Sequence, residues 1–107
     1  MGKIVIAAFL PKPGKEEELK QVIAGRLPLL RKLGLATDRE NITMRAANGT
    51  IIDISEWLDD AAVERAHQTP EVIAMWEQFE ACSDYVKLES LAEISEDFAT
   101  FEPIDLS

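Results

Sequence analysis

From Lys3 to Leu10 the chain is apolar at both parities, with Ile4, Ile6, Ala8 and Leu10 alternating with Val5, Ala7 and Phe9. A half-buried strand alternates with polar residues, so this run predicts a strand covered on both faces. Pro11-Lys12-Pro13-Gly14 ends it, because neither proline can donate to a ladder. The spacing then becomes helical. Lys15 to Leu33 carries Leu19, Val22, Ile23, Leu27, Leu30 and Leu33 on one stripe. Glu16, Glu17 and Glu18 open this helix, Arg31 and Lys32 close it, and Gly34 supplies a stop, an order that suits the helix dipole. Pro28 predicts a kink near Gly25, since an interior proline forfeits one hydrogen bond and crowds the preceding turn.

After a loop over Leu35 to Asn41, Ile42 to Ala47 and Thr50 to Trp57 read as strands joined by Asn48-Gly49, a strong hairpin signal. A two-residue turn would set Ala47 opposite Thr50, Arg45 opposite Ile52 and Thr43 opposite Ile54. Ile42, Met44, Ala46, Ile51, Asp53, Ser55 and Trp57 would then share one face, with Thr43, Arg45, Ile52, Ile54 and Glu56 on the other. Asp59 or Asp60 caps a second helix through His67, and Thr69-Pro70-Glu71 restarts it. Tyr85 to Ile94 reads as a fourth strand. Phe98, Phe101 and Ile104 mark residues 95–107 as a tail that docks on the body.

The order βαββαβ predicts an α+β fold: one ferredoxin-like domain over residues 1–107, a four-stranded antiparallel sheet with two helices on one face. Its second sheet face would be apolar and bare. A second copy is the economical cover, so the pattern predicts a homodimer.

Composition changes this picture mainly by exclusion. Twenty acidic residues against eleven Lys and Arg give a net charge of −9, which argues against nucleic acid and anionic membrane surfaces as partners. Arg26, Arg31, Lys32, Arg39 and Arg45 gather in the first half, read as a helix terminus and its flanking loop. No apolar run is long enough to span a bilayer, and the single Cys82 leaves no internal disulfide, so a cytoplasmic location is expected. One His and one Cys without ligand spacing predict no metal site, and no glycine lies in a phosphate-binding pattern.

Glu56-Trp57 at a strand end, then Ala62, then His67-Gln68-Thr69-Pro70, resembles the signature of the antibiotic-biosynthesis-monooxygenase-like dimeric α/β barrels. Lys12-Pro13-Gly14-Lys15 before an acidic helix start is similar to the same superfamily, and the resemblance runs over about residues 3 to 94. It implies a ligand cavity between sheet and helices in each protomer. The activity it implies is monooxygenase-like, on a small aromatic or enol-type molecule and with no bound cofactor. Haem-degrading relatives carry a helical His ligand and a first-strand Asn. Here Trp76 and Glu77 stand near the matching helical positions and the first strand has no Asn. Fold analogy does not carry the reaction over.

Against that background a few residues stand out. His67, the only histidine, is the candidate catalytic residue, as a general base or a polar anchor in the cavity. Its structural alternative is a hydrogen bond to a carbonyl freed by the break before Pro70. Trp57 and Trp76 are candidates to line the cavity for an aromatic ligand, or else core anchors. Arg45 and Asp53, polar within strands, would orient a ligand if they point inward and would otherwise be solvated. Cys82 reads as a small buried residue rather than a nucleophile. Two functions remain open at this level: a cofactor-free enzyme, or a non-enzymatic dimer that binds a small ligand or serves as an interaction module.

Overall fold

A computed structural model describes residues 2–106. Among these residues the chain is α+β: a five-stranded antiparallel sheet with three α-helices. The strands are β1 (Lys3–Pro11), β2 (Ile42–Arg45), β3 (Ile51–Trp57), β4 (Ser83–Tyr85) and β5 (Glu102–Pro103), in spatial order β4-β1-β3-β2-β5. The helices are α1 (Glu16–Lys32), α2 (Asp60–Ala66) and α3 (Pro70–Cys82).

One face of the sheet carries all three helices. Phe9, Ile51 and Trp57 from the strands meet Leu19, Ile23 and Leu30 of α1, Ala62 and Ala66 of α2, and Val72, Met75 and Phe79 of α3. The Phe9 and Phe79 rings stack 4.5 Å apart at its centre. The stripe expected on α1 is the buried one, with one addition: Arg26 is as buried as its apolar neighbours. α1 runs unbroken through Pro28, which gives up the bond its amide would have made to Ala24. Gly34 follows with φ 72°, a conformation that favours glycine.

The hairpin differs from expectation by one register step. Arg45 lies opposite Ile51, Met44 opposite Ile52 and Thr43 opposite Asp53. The turn holds three residues, Ala47-Asn48-Gly49, between Ala46 and Thr50, whose amide and carbonyl bond at 2.8 Å. Gly49 takes φ 94°, so the glycine serves a three-residue turn ending in a left-handed position. A one-residue slip moves a strand's side chains to the other face. Thr43 and Arg45 therefore join Asp53, Ser55 and Trp57 on the helix side, while Ile42 and Met44 join Ile52 and Ile54 on the outer side.

The fourth strand is also shorter than expected. It occupies Ser83–Tyr85 alone, and the residues after it form 3-10 turns at Leu88–Ser90 and Ala92–Ser95. This segment crosses the outer face: Leu91, with Val86, Leu88 and Phe101, packs on Ala8, Ala46 and Ile52. Beyond it β5 pairs with the edge of β2, and Ile104 donates to the carbonyl of Thr43 at 2.8 Å. Phe98 departs from the docking tail expected of residues 95–107, being 90% exposed.

Of the three helices only α2 starts with a side-chain cap. Asp59 caps α2 by accepting from the Ala62 amide at 2.7 Å. Thr69 precedes Pro70 at the head of α3, but its hydroxyl donates back to the Arg65 carbonyl instead of capping.

The loop before β2 is tied to β3 by polar contacts. Arg31 donates to the carbonyls of Thr37 and Arg39. Thr37 and Arg39 in turn donate to the carboxylate of Glu56 at 2.8 and 3.1 Å. Those two bonds, the Thr37 hydroxyl first, hold the Glu56 carboxyl below the usual carboxylate range. A depressed folded value stabilises the fold above the unfolded pKa, about 4.3 for Glu, and that contribution disappears as pH falls through the folded value. We therefore expect the amides of residues 36–41 to lose exchange protection on acidification below about pH 4. Thr37→Val should move that loss to higher pH. Hydrogen exchange followed by NMR reads both.

Candidate functional site

β4 is so short that it covers only one end of β1, pairing with Phe9, Leu10 and Pro11. The last bond on that edge runs from the Val86 amide to the Ala8 carbonyl, 3.0 Å. Backbone groups of one parity share an edge, so those of Ile4 and Ile6 lie along the uncovered stretch. Beside this edge, on the helix side, is an open cleft of about 500 Å³.

Its floor is β1, through Val5, Ala7 and Phe9. Its walls are Trp57, Trp76, Phe79 and Tyr85, and its polar members are Arg26, His67 and Glu80. The lining reaches around the open edge of β1 to Ile6, Ala8 and Val86. A volume of this size admits a molecule of one or two rings.

His67 follows α2 as its C-cap residue, where the helix ends before Pro70. Its Nδ1 lies 2.8 Å from the Val63 carbonyl. A carbonyl only accepts, so Nδ1 carries a proton, and in the neutral ring Nε2 is the acceptor. The ring also meets Trp76, centroids 4.9 Å apart. His67 thus has the carbonyl bond of its structural reading and a place on the cleft wall, while being exposed to solvent. Trp57 is buried in the core and Trp76 half-buried against it, and both also line the cleft.

The two strand residues go elsewhere. Arg45 is outside the lining; its guanidinium bonds Glu16 of α1 through Nε at 3.0 Å and Nη2 at 2.9 Å. Asp53 is likewise outside the lining and buried, 2% exposed. Its Oδ1 accepts from Asn41 and Thr43, each at 2.9 Å, and its Oδ2 lies 3.7 Å from Nη1 of Arg26.

Arg26 is the residue that pattern reading missed. Nη1 donates to Ser55 Oγ at 2.7 Å, and Cζ sits 5.6 Å from the centroid of the Trp57 ring. Burial pulls the Arg26 pKa below its ordinary value and Asp53 pulls it back up. Its signal was positional: Arg26 falls three residues after Ile23 and four before Leu30, inside the apolar stripe. The basic cluster is correspondingly dispersed. Arg31, Lys32 and Arg39 belong to the helix end and its loop, whereas Arg26 is interior and Arg45 lies on β2.

Two further groups bear on chemistry. Burial pushes the Cys82 thiol up, and its Sγ donates to the Gln78 carbonyl, so it is held as a thiol. Desolvation and the nearby Glu80 carboxylate push the Tyr85 phenol up, keeping it a neutral donor at the cleft. Among the described residues no group of three or more His, Cys, Asp or Glu is arranged to hold a metal ion, and no helix is long and apolar enough to cross a membrane.

No family model, curated protein or solved structure matches this chain. The functional reading therefore rests on the cleft and the sheet.

Proposed function

We propose that this chain is a ferredoxin-like homodimer whose cleft takes up a small aromatic molecule. The observation that carries the reading is the cleft's lining: four aromatic side chains over an apolar strand, with a few polar groups among them. Aromatic walls recognise ring faces by offset or edge contacts, and polar groups fix orientation.

The dimer rests on the outer sheet face. Ile6, Ile54 and Ile42 lie side by side across β1, β3 and β2. Ile6 is 48% and Ile42 59% exposed, and Ile4, one step along β1 on the same face, is 50% exposed. The C-terminal segment shelters the next row, Ala8, Ile52 and Met44, and reaches Ile54, but leaves Ile4, Ile6 and Ile42 open. Apolar rows on a sheet pack well against a second sheet, and a two-fold pair would cover both copies.

The enzymatic form of this reading follows the superfamily resemblance. His67 Nε2, the acceptor left by the Val63 bond, takes a proton from an activated aromatic or enol-type substrate. The resulting anion reacts with dioxygen: an activated CH2 carbon becomes C=O, one oxygen atom is retained, and the other leaves as water. The non-enzymatic form is supported by the openness of the cleft and the solvent exposure of His67, since chemistry on a reactive anion favours a site closed to water.

Titration with 2-naphthalenemethanol, read by quenching of Trp57 and Trp76, should saturate; no saturable change at millimolar concentration sinks the cleft reading. His67→Ala should weaken this binding with little change in melting temperature, if the ring serves the cleft. The reverse pattern, a loss of several degrees with binding intact, is what a helix-capping role alone would give; about 1 kcal/mol shifts a domain of this size by several degrees. Sedimentation at micromolar concentration should show a dimer, and Ile42→Asp should return a folded monomer. A wild-type chain sedimenting only at 11.9 kDa overturns the dimer.

A further inference from the structure

We infer that the molecule the cleft takes is an aromatic carboxylate, its carboxylate held by Arg26 at the Trp57 end. This rests on the cleft reading above and adds the charge and orientation of the ligand.

A guanidinium has five N–H donors. Among the described residues the only hydrogen bond of Arg26 runs from Nη1 to Ser55 Oγ. Asp53 offsets the charge without taking up the donors, because Oδ2 stands 3.7 Å from Nη1 and Oδ1 is occupied by Asn41 and Thr43. Nε and Nη2 have no partner among the described residues. Yet among the described residues the only fully buried side-chain nitrogen or oxygen without a hydrogen bond is Oγ1 of Thr50. The free guanidinium nitrogens therefore reach open space, and the space that Arg26 lines is the cleft.

Arg26 is 6% exposed, so those donors have little bulk water to satisfy them. A charged donor short of partners in a nearly buried side chain gains from a ligand acceptor. The fork geometry matches a planar carboxylate, which can bond two nitrogens at once. A phosphate dianion is disfavoured: it would bring two charges to one guanidinium already paired with Asp53, with no lysine in the lining.

The other charged member of the lining is Glu80, and its place decides the orientation. Arg26 bonds Ser55, which lies opposite Val5 on β1. Glu80 follows Phe79, which stacks on Phe9. Val5 and Phe9 are four residues apart, or about 13 Å along a strand. Glu80 is also exposed, so water screens it, whereas the guanidinium acts from a drier site. The ligand's anionic end belongs with Arg26, and its ring lies toward Trp76, Phe79 and Tyr85.

The test compares 2-naphthoate with 2-naphthamide, the same ring with and without the charge, by calorimetry at low ionic strength. The wild-type chain should bind the carboxylate at least tenfold more tightly. Arg26→Gln should abolish that preference, and Arg26→Lys should restore part of it. Equal or tighter binding of the amide by the wild type overturns the carboxylate inference and leaves the cleft reading standing. A preference that survives Arg26→Gln overturns the role of Arg26. Binding of neither probe removes both readings. The wild-type comparison needs no variant, so it decides the charge preference even if Arg26→Gln fails to fold.

Discussion

Phe9→Asp should leave the chain unable to fold. Phe9 is 3% exposed and stacks on Phe79 at 4.5 Å, between the central part of the sheet and α3. Removing a buried Phe side chain costs about 3–5 kcal/mol through lost transfer energy and the cavity left behind. The new carboxylate would have no cation in the lost ring's place, and burying a charge unpaired adds several kcal/mol. A domain's whole stability is about 5–15 kcal/mol. Circular dichroism and limited proteolysis of the variant should show an unfolded or aggregated chain. Ile42→Asp makes the contrast. It places the same charge at a position 59% exposed on the outer face, where the fold should survive and only association should be lost. If Phe9→Asp folds with an unchanged urea midpoint, the assignment of β1's faces is wrong.

The second large effect is expected at Asp53. Asp53→Ala strips Arg26 of its counter-charge and leaves the Asn41 and Thr43 donors without their common acceptor. Breaking a buried ion pair from one side costs about 3–5 kcal/mol, because the remaining charge stays desolvated. Burial already pulls the Arg26 pKa down and Asp53 is what pulls it up, so loss of Asp53 leaves only the unfavourable influence. Arg26→Met/Asp53→Leu should recover much of that loss, since apolar replacement of a buried pair is often neutral or stabilising. Urea denaturation of the single and double variants measures the coupling directly. A single variant within about 0.5 kcal/mol of wild type would show that the pair contributes nothing net.

These two sites separate what pattern could reveal from what it could not. The existence and kind of most elements were legible, because burial on one side imposes a period: two for a strand, 3.6 for a helix. Thus α1 lies under the stripe from Leu19 to Leu33, and the breaks at Pro11-Lys12-Pro13 and Thr69-Pro70 fall where an amide donor is missing. The candidates His67, Trp57 and Trp76 were reachable too, as a lone histidine beside a helix break and as large aromatics on packed elements.

Tertiary structure decided the rest. Asn48-Gly49 permits either a two-residue or a three-residue turn, and the choice shifts the register by one residue and exchanges the faces of β2. Asp53 opposite Thr43 exists only in the register observed. The short fourth strand was beyond local reading for a related reason: residues 86–94 carry apolar side chains that suit a strand, yet they cross the outer face as turns. That choice bares the edge of β1 and opens the cleft.

Arg26 shows the same division in one residue. The sequence by itself determined that it stands on the buried stripe of α1. Whether a charged residue there is a solvated exception or an interior cation depends on the partners that distant segments deliver. Ser55 and Trp57 come from β3 and Asp53 from the same strand's centre, roughly thirty residues away along the chain. Local pattern sets which side of an element is dry. Only the assembled sheet and helices determine what a polar group on the dry side can reach, because a buried charge is tolerated only where the completed fold supplies its partners.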